Sequence, residues 1–265
     1  MSKHVYVEPK EIKGGPGLGS VGFLFALVAG GIGGGLAMVV EPSLRAPIVL
    51  AILVFVLGTR FALVYRPKLV RELQALQLGR LREHLPETIA KCRALLRRGV
   101  APLVRAHVLT VLAECAEMEG DFTDAADLLV RAEGIVRATR MNAVLRAQQL
   151  AVIAARRAFA HAACGELDRA EITLRTAGVS DGVPLAGALA SRALLLVLAR
   201  RGLKQQVLER LASDARLMRN TLAWRDRALV AVIAANATGR AVPPGSIDPA
   251  IAPWVARAFP EAAVS

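Results

Sequence analysis

The hydrophobic and polar positions divide the chain into two regimes. From Gly19 to Val40 there is no charged residue, and from Ala46 to Tyr65 the one charge is Arg60. Either run can cross a hydrocarbon core as a helix, which takes about 20 residues. The connector Glu41-Pro42-Ser43-Leu44-Arg45 is short and contains proline. The pattern therefore predicts an antiparallel transmembrane hairpin over 19–40 and 46–65, preceded by a tail over 1–18. After Pro67 the period changes: Leu69, Leu73 and Leu76 share one face with charges opposite, as in an amphipathic helix. Pro86 and Pro102 stand where a helix tolerates the missing N–H, at its start. Further helices are predicted at 86–98, 102–118, 122–139, 142–164, 167–178, 184–201, 204–218 and 220–237. Pro243-Pro244-Gly245 then breaks the series before a short helix at 248–258. The expected fold is all-α: the hairpin, basic juxtamembrane helices over 66–101, a helical domain over 102–240, and a Pro-rich tail over 241–265.

Lysine and arginine set the orientation. Lys3, Lys10 and Lys13 precede the first span, Arg45 alone lies in the connector, and Arg66, Lys68 and Arg71 follow the second. By the positive-inside rule both termini are cytoplasmic, which predicts a multi-pass protein of the inner membrane. Arg60 lies near enough to the end of its span to snorkel, so Arg60, Arg66, Lys68 and Arg71 are expected at the lipid headgroups. In the first span Ala26, Gly30 and Gly34 recur every four residues. Small residues at that spacing let helix backbones approach closely in lipid. The partner of this face is either the second span or another copy of the chain, which would make the protein a homo-oligomer.

Composition strengthens both readings. Hydrophobic residues make up 54% of the chain and aromatics only 4%, which favours close-packed helices over a β-sandwich. The net charge of +12 calls for an anionic partner. Between Arg66 and Arg105 ten basic residues face three acidic ones, so the excess sits directly after the second span, where it attracts anionic lipid. No nucleic acid is expected.

Two segments of the helical domain match. Gly120-Asp121-Phe122 continues to Ala125, Leu129 and Ala132, and Gly165-Glu166-Leu167 continues to Ala170, Leu174 and Ala177 at the same spacing. Glycine ends one helix in a left-handed cap, the acid begins the next where the dipole favours it, and alanine lets the two helices cross closely. With Ala113 and Ala158 as the small residues upstream, the segments resemble the second half of the tetratricopeptide repeat. A third unit surrounds Gly202, Val207 and Leu211. Leu109 and Ala154 stand where the family carries Trp, and the first two glycines are 45 residues apart. The resemblance implies an α-solenoid of antiparallel helix pairs that holds a protein or peptide partner. It also implies that His107, Thr110, Glu114 and Glu117, at i, i+3, i+7 and i+10, form a stripe on the ligand-facing side, with Phe159 among the equivalent positions of the next repeat.

Motifs for chemistry are missing. No phosphate-binding loop, nucleophile elbow or paired-cysteine motif occurs, and the four histidines are isolated, so no catalytic residue, metal site or cofactor is expected. The run from Gly17 to Gly22 matches G-x-G-x-x-G, but no strand precedes it. Cys92, Cys115 and Cys164 are expected as buried thiols. The sequence thus predicts a membrane-anchored adaptor or scaffold and no enzyme. The other reading is a channel or transporter subunit with the helical domain as a regulatory cap, against which stands the lack of polar residues along either span.

Overall fold

The computed structural model describes residues 72–73, 85–98, 100–176, 183–242 and 247–261. Every regular element among them is an α-helix, and no strand occurs among them. The span residues Ala26, Gly30, Gly34, Arg60, Arg66, Lys68 and Arg71 lie outside the described residues. Among those described, no helix is long and apolar enough to cross a membrane.

The chain divides into two compact units, with the boundary after Val108. In the first, α1 (Leu85–Arg97) buries Cys92, Leu95 and Leu96 at the spacing of one helical face. Arg98 reaches back to Glu72 at 3.0 Å. The boundary falls inside α2 (Pro102–Glu119), whose proline takes the first helical position.

From Leu109 onward the second unit continues α2 and adds α3 (Phe122–Ala138), α4 (Ala143–Ala163) and α5 (Leu167–Thr176). It is completed by α6 (Pro184–Arg200), α7 (Lys204–Thr221), α8 (Trp224–Thr238) and a short α9 (Ala252–Ala258). From α3 to α8 packing is local in sequence. Each helix meets the next, and α4 meets α6 as α6 meets α8, so the even-numbered helices form one row.

Four of the turns share one construction. Gly120, Gly165, Gly202 and Gly239 all have positive φ, between 66° and 87°. At each, the glycine N–H bonds a carbonyl three residues back and the following N–H bonds one five residues back, as Asp121 does to Ala116 at 2.9 Å. This closure satisfies carbonyls that a helix end otherwise leaves bare. Side-chain caps start two of the helices. Asp121 Oδ1 accepts from the Asp124 N–H at 3.1 Å to start α3, and Asn142 Oδ1 accepts from the Val144 N–H at 2.8 Å to start α4.

Small residues set the spacing inside the row. Ala151, Ala154, Ala155, Ala158 and Ala162 of α4, with Ala186, Ala188, Ala190 and Ala193 of α6, are all buried. Alanine at the crossings allows close interaxial approach, while Leu195 and Leu196 fill the remaining volume. α6 touches α4, α5, α7 and α8 and is the centre of the unit.

Observed helix ends depart from the predicted ones chiefly near the C-terminus. α7 runs on to Thr221 because no glycine or proline stops it at 218–220. It ends where Leu222 turns extended and enters the core. α9 starts at Ala252 because the Asp248 side chain takes the Ala250 N–H at 2.8 Å and holds a turn ahead of it. Among the cysteines, Cys92 and Cys115 are buried as expected, whereas Cys164 is exposed. It caps α4 beside the Gly165 turn and so lies at the surface.

A side chain at these glycines is strained by the left-handed backbone, at roughly 1–2 kcal/mol. At Gly202 a Cβ would meet nothing within 4 Å, whereas at Gly120 it would overlap the Arg257 side chain. Urea denaturation should therefore show Gly120→Ala to be more destabilising than Gly202→Ala by about 1 kcal/mol, the worth of the disturbed arginine contact. That excess should vanish in an Arg257→Ala background; an excess that survives would place its origin elsewhere.

Candidate functional site

The densest polar chemistry in the second unit is built under α9. Ile251, Trp254, Val255, Ala258 and Phe259 are all buried. Their i, i+3, i+4, i+7, i+8 spacing makes one apolar stripe, so this short segment gives its whole inner face to the unit. Trp254 lies against Phe159 of α4 with ring centroids 6.1 Å apart, and Phe159 meets Phe122 edge-on at 6.0 Å.

Two arginines stack on these rings. The Arg192 guanidinium of α6 sits 3.7 Å from the Phe159 centroid, and that of Arg225 at the start of α8 sits 4.8 Å from the Trp254 centroid. A cation over an aromatic face is attracted by the ring quadrupole, most strongly where water is excluded. Arg192 is 1% exposed. A buried charge of that kind requires counter-charges. Arg192 Nη1 donates to Asp226, and its Nη2 lies 4.0 Å from Glu117. Arg225 adds approaches of 3.8 Å to Glu117 and 3.7 Å to Asp226. Beside them Arg156 of α4 pairs with Glu114 of α2.

Three guanidinium groups thus meet three carboxylates, and the set runs obliquely through the row. It touches α2 at Glu117 near its C-terminus, α4 at Arg156 and Phe159 in its last two turns, α6 near its middle and α8 in its first turn. Burial pushes the Asp226 carboxyl up. The charges of Arg192, Arg225 and Arg156, with the Arg192 hydrogen bond, outweigh it, so Asp226 titrates below the ordinary aspartate value. A carboxylate held ionised between guanidiniums has no proton to give near neutral pH. What this network does is hold helices and rings in place.

The stripe expected to line an open groove is placed otherwise. Glu114 and Glu117 are buried, the latter 0% exposed, because Glu114 answers the half-buried Arg156 of α4 and Glu117 the buried Arg192 of α6. Phe159 is likewise buried beneath Arg192 and Trp254. His107 and Thr110, further up α2, are half-buried. The structure therefore brings Glu114, Glu117 and Phe159 into one neighbourhood, inside the unit rather than on a solvated face.

Arg156, Arg192, Arg225 and Asp226 are absent from the residues singled out in the sequence. One signal did exist: Arg192 is the lone charge between Pro184 and Ala199, and a charge inside an apolar run calls for a buried partner.

The rim of α9 is also polar. Arg257 Nη2 donates to the Met118 carbonyl at 3.2 Å, where its side chain lies over the Gly120 turn. On the far side Glu261 pairs with Arg200 at 3.3 Å, and Arg200 donates to the Ala162 and Ala163 carbonyls at 2.6 and 3.0 Å. Among the described residues no three His, Cys, Asp or Glu side chains come together in a way that would hold a metal ion.

No family model matches the chain, no curated protein is similar to it, and no solved structure matches its fold.

Asp226→Asn removes one carboxylate and leaves the buried Arg192 and the half-buried Arg225 to Glu117, a change that costs about 3–5 kcal/mol for broken buried pairs. Because the folded-state pKa is depressed, the stabilisation is full above the unfolded value of about 3.9 and is lost as pH falls through the folded one. Denaturant titrations should show the full gap between wild type and variant at pH 7, closing in strong acid. A gap unchanged down to pH 2 would remove Asp226 from the charged network.

Proposed function

We propose that this chain is a membrane-anchored adaptor. Two hydrophobic spans, 19–40 and 46–65, hold a tetratricopeptide-like stack of antiparallel helix pairs at the cytoplasmic face of the inner membrane. One side of that stack binds a segment of another protein. The observation that carries the reading is α9: the even-numbered row accepts a short helix through an aromatic and arginine seat, burying Trp254 to 3% exposure. A surface that orders one such helix has the chemistry to order another.

Two further features support it. The turns at Gly120, Gly165, Gly202 and Gly239 recur at 45, 37 and 37 residues, so after the first interval the period is near the 34 of the family. Each helix from α3 to α8 also packs on near neighbours in sequence, which is how repeat proteins bury their hydrophobic faces. The anchor rests on the uncharged runs and on the basic residues between Arg66 and Arg105.

Topology and partner are tested separately. The chain should stay with membranes through carbonate washing and leave only in detergent. In a Cys164→Ser background, Ser43→Cys should react with an impermeant maleimide added from outside intact spheroplasts. Labelling only after permeabilisation would invert the orientation. A photoreactive residue at Thr110 in the full chain should capture one protein in stoichiometric amount, and adducts of lipid alone would sink the adaptor reading.

A further inference from the structure

The seat of α9 has two anchor points, and the stack leaves both to be filled from outside the row. The first is the slot between Phe159 and Arg225 that takes the Trp254 ring. The second is the C-terminal end of α2, where the Met118 carbonyl and the bare backbone of Gly120 receive Arg257. Helix C-termini carry partial negative charge, and a cation there is favoured.

Comparison with α4 shows why α2 needs this help. The C-terminal carbonyls of α4 at Ala162 and Ala163 are taken by Arg200, which lies on α6 two residues before Gly202. The residue at the same place on α4, two before Gly165, is Ala163. Alanine carries no donor to reach α2. The cation that the row supplies to α4 therefore comes to α2 from α9, a segment 139 residues away along the chain.

α9 is also a weakly committed occupant. It has seven residues, no side-chain cap and a proline in its first turn. A helix this short is not stable by itself, so its order comes from the seat. Its polar clasps, Arg257 and Glu261, stand at the solvent rim.

Resting on the adaptor reading, we infer that α9 is a resident competitor for the adaptor's ligand. The seat accepts a helical segment of a partner protein with an aromatic residue followed three positions later by arginine, the spacing of Trp254 and Arg257, and that segment binds by displacing α9. The ring enters between Phe159 and Arg225, and the guanidinium caps α2 over Gly120. A side chain at position 120 would crowd the incoming cation as well as strain the left-handed backbone.

The test uses the full chain in detergent with a protease site replacing residues 243–246, and a fluorescent peptide of residues 247–261. The uncut chain should bind the peptide about a hundredfold more weakly than the cut one. After cutting, the resident segment should exchange with it, and Trp254→Ala or Arg257→Ala peptides should each bind about tenfold more weakly. A cut chain that loses helical signal and regains it on adding the peptide gives the same answer. No exchange over hours, or binding indifferent to both substitutions, would overturn the proposal. Failure of exchange with intact capture at Thr110 removes the competitor and leaves the adaptor. Exchange without any captured protein keeps the seat and removes the adaptor.

Discussion

The second unit is organised around a charge in the wrong solvent. Arg192 occupies the centre of α6, the helix with most neighbours, and is withdrawn from water almost completely. Desolvating a guanidinium costs several kcal/mol unless counter-charge and hydrogen bonds are supplied. Here they come from elsewhere: Asp226 from α8, Glu117 from α2 and a ring face from α4. Four helices must stand at matching heights for all three partners to reach one side chain. Apolar packing alone is more permissive, because an alanine-lined crossing has several near-equivalent registers. The network adds a condition that only a register bringing all three partners to Arg192 can meet.

The same constraint explains where α9 sits. Placing Arg225 against Glu117 and Asp226 turns the face of its guanidinium toward the aromatic side of the site, where Trp254 stacks on it. Placing Arg192 over Phe159 fixes that ring from the other side. The slot for Trp254 is thus shaped by groups whose own positions are set by buried ion pairs. Preorganisation of this kind lowers the ordering cost of whatever enters.

How far the sequence discloses this follows from the range of each interaction. Helices and their glycine turns are local: Gly120 and Gly165 announce left-handed caps within a few residues, and the structure has them. The buried network is not local. Glu117 and Arg192 are joined across 75 positions, and from sequence a glutamate at helical spacing from other polar residues reads as a solvated stripe. Only the apolar surroundings of Arg192 hinted otherwise. Phe159 reads from sequence as a groove residue, and its buried place beside Trp254 depends on a tail whose docking no periodicity reports. α9 is a short apolar run whose partner residues are scattered over α2, α4 and α8.

Under the proposed function, a tethered competitor would change what affinity means for the adaptor. A segment held on a short connection, such as that between Gly239 and Ile251, acts at an effective concentration of about millimolar. If α9 is docked in about 99% of molecules, a partner with the same contacts binds about a hundredfold more weakly than to the open seat, near 2.7 kcal/mol. A soluble partner would have to overcome that by intrinsic strength. A partner confined to the same membrane gains local concentration of its own, which offsets the handicap. Under the proposed function, an anchor and a resident competitor together would discriminate by location: the seat would stay closed to segments in bulk solution and open to those presented beside the bilayer.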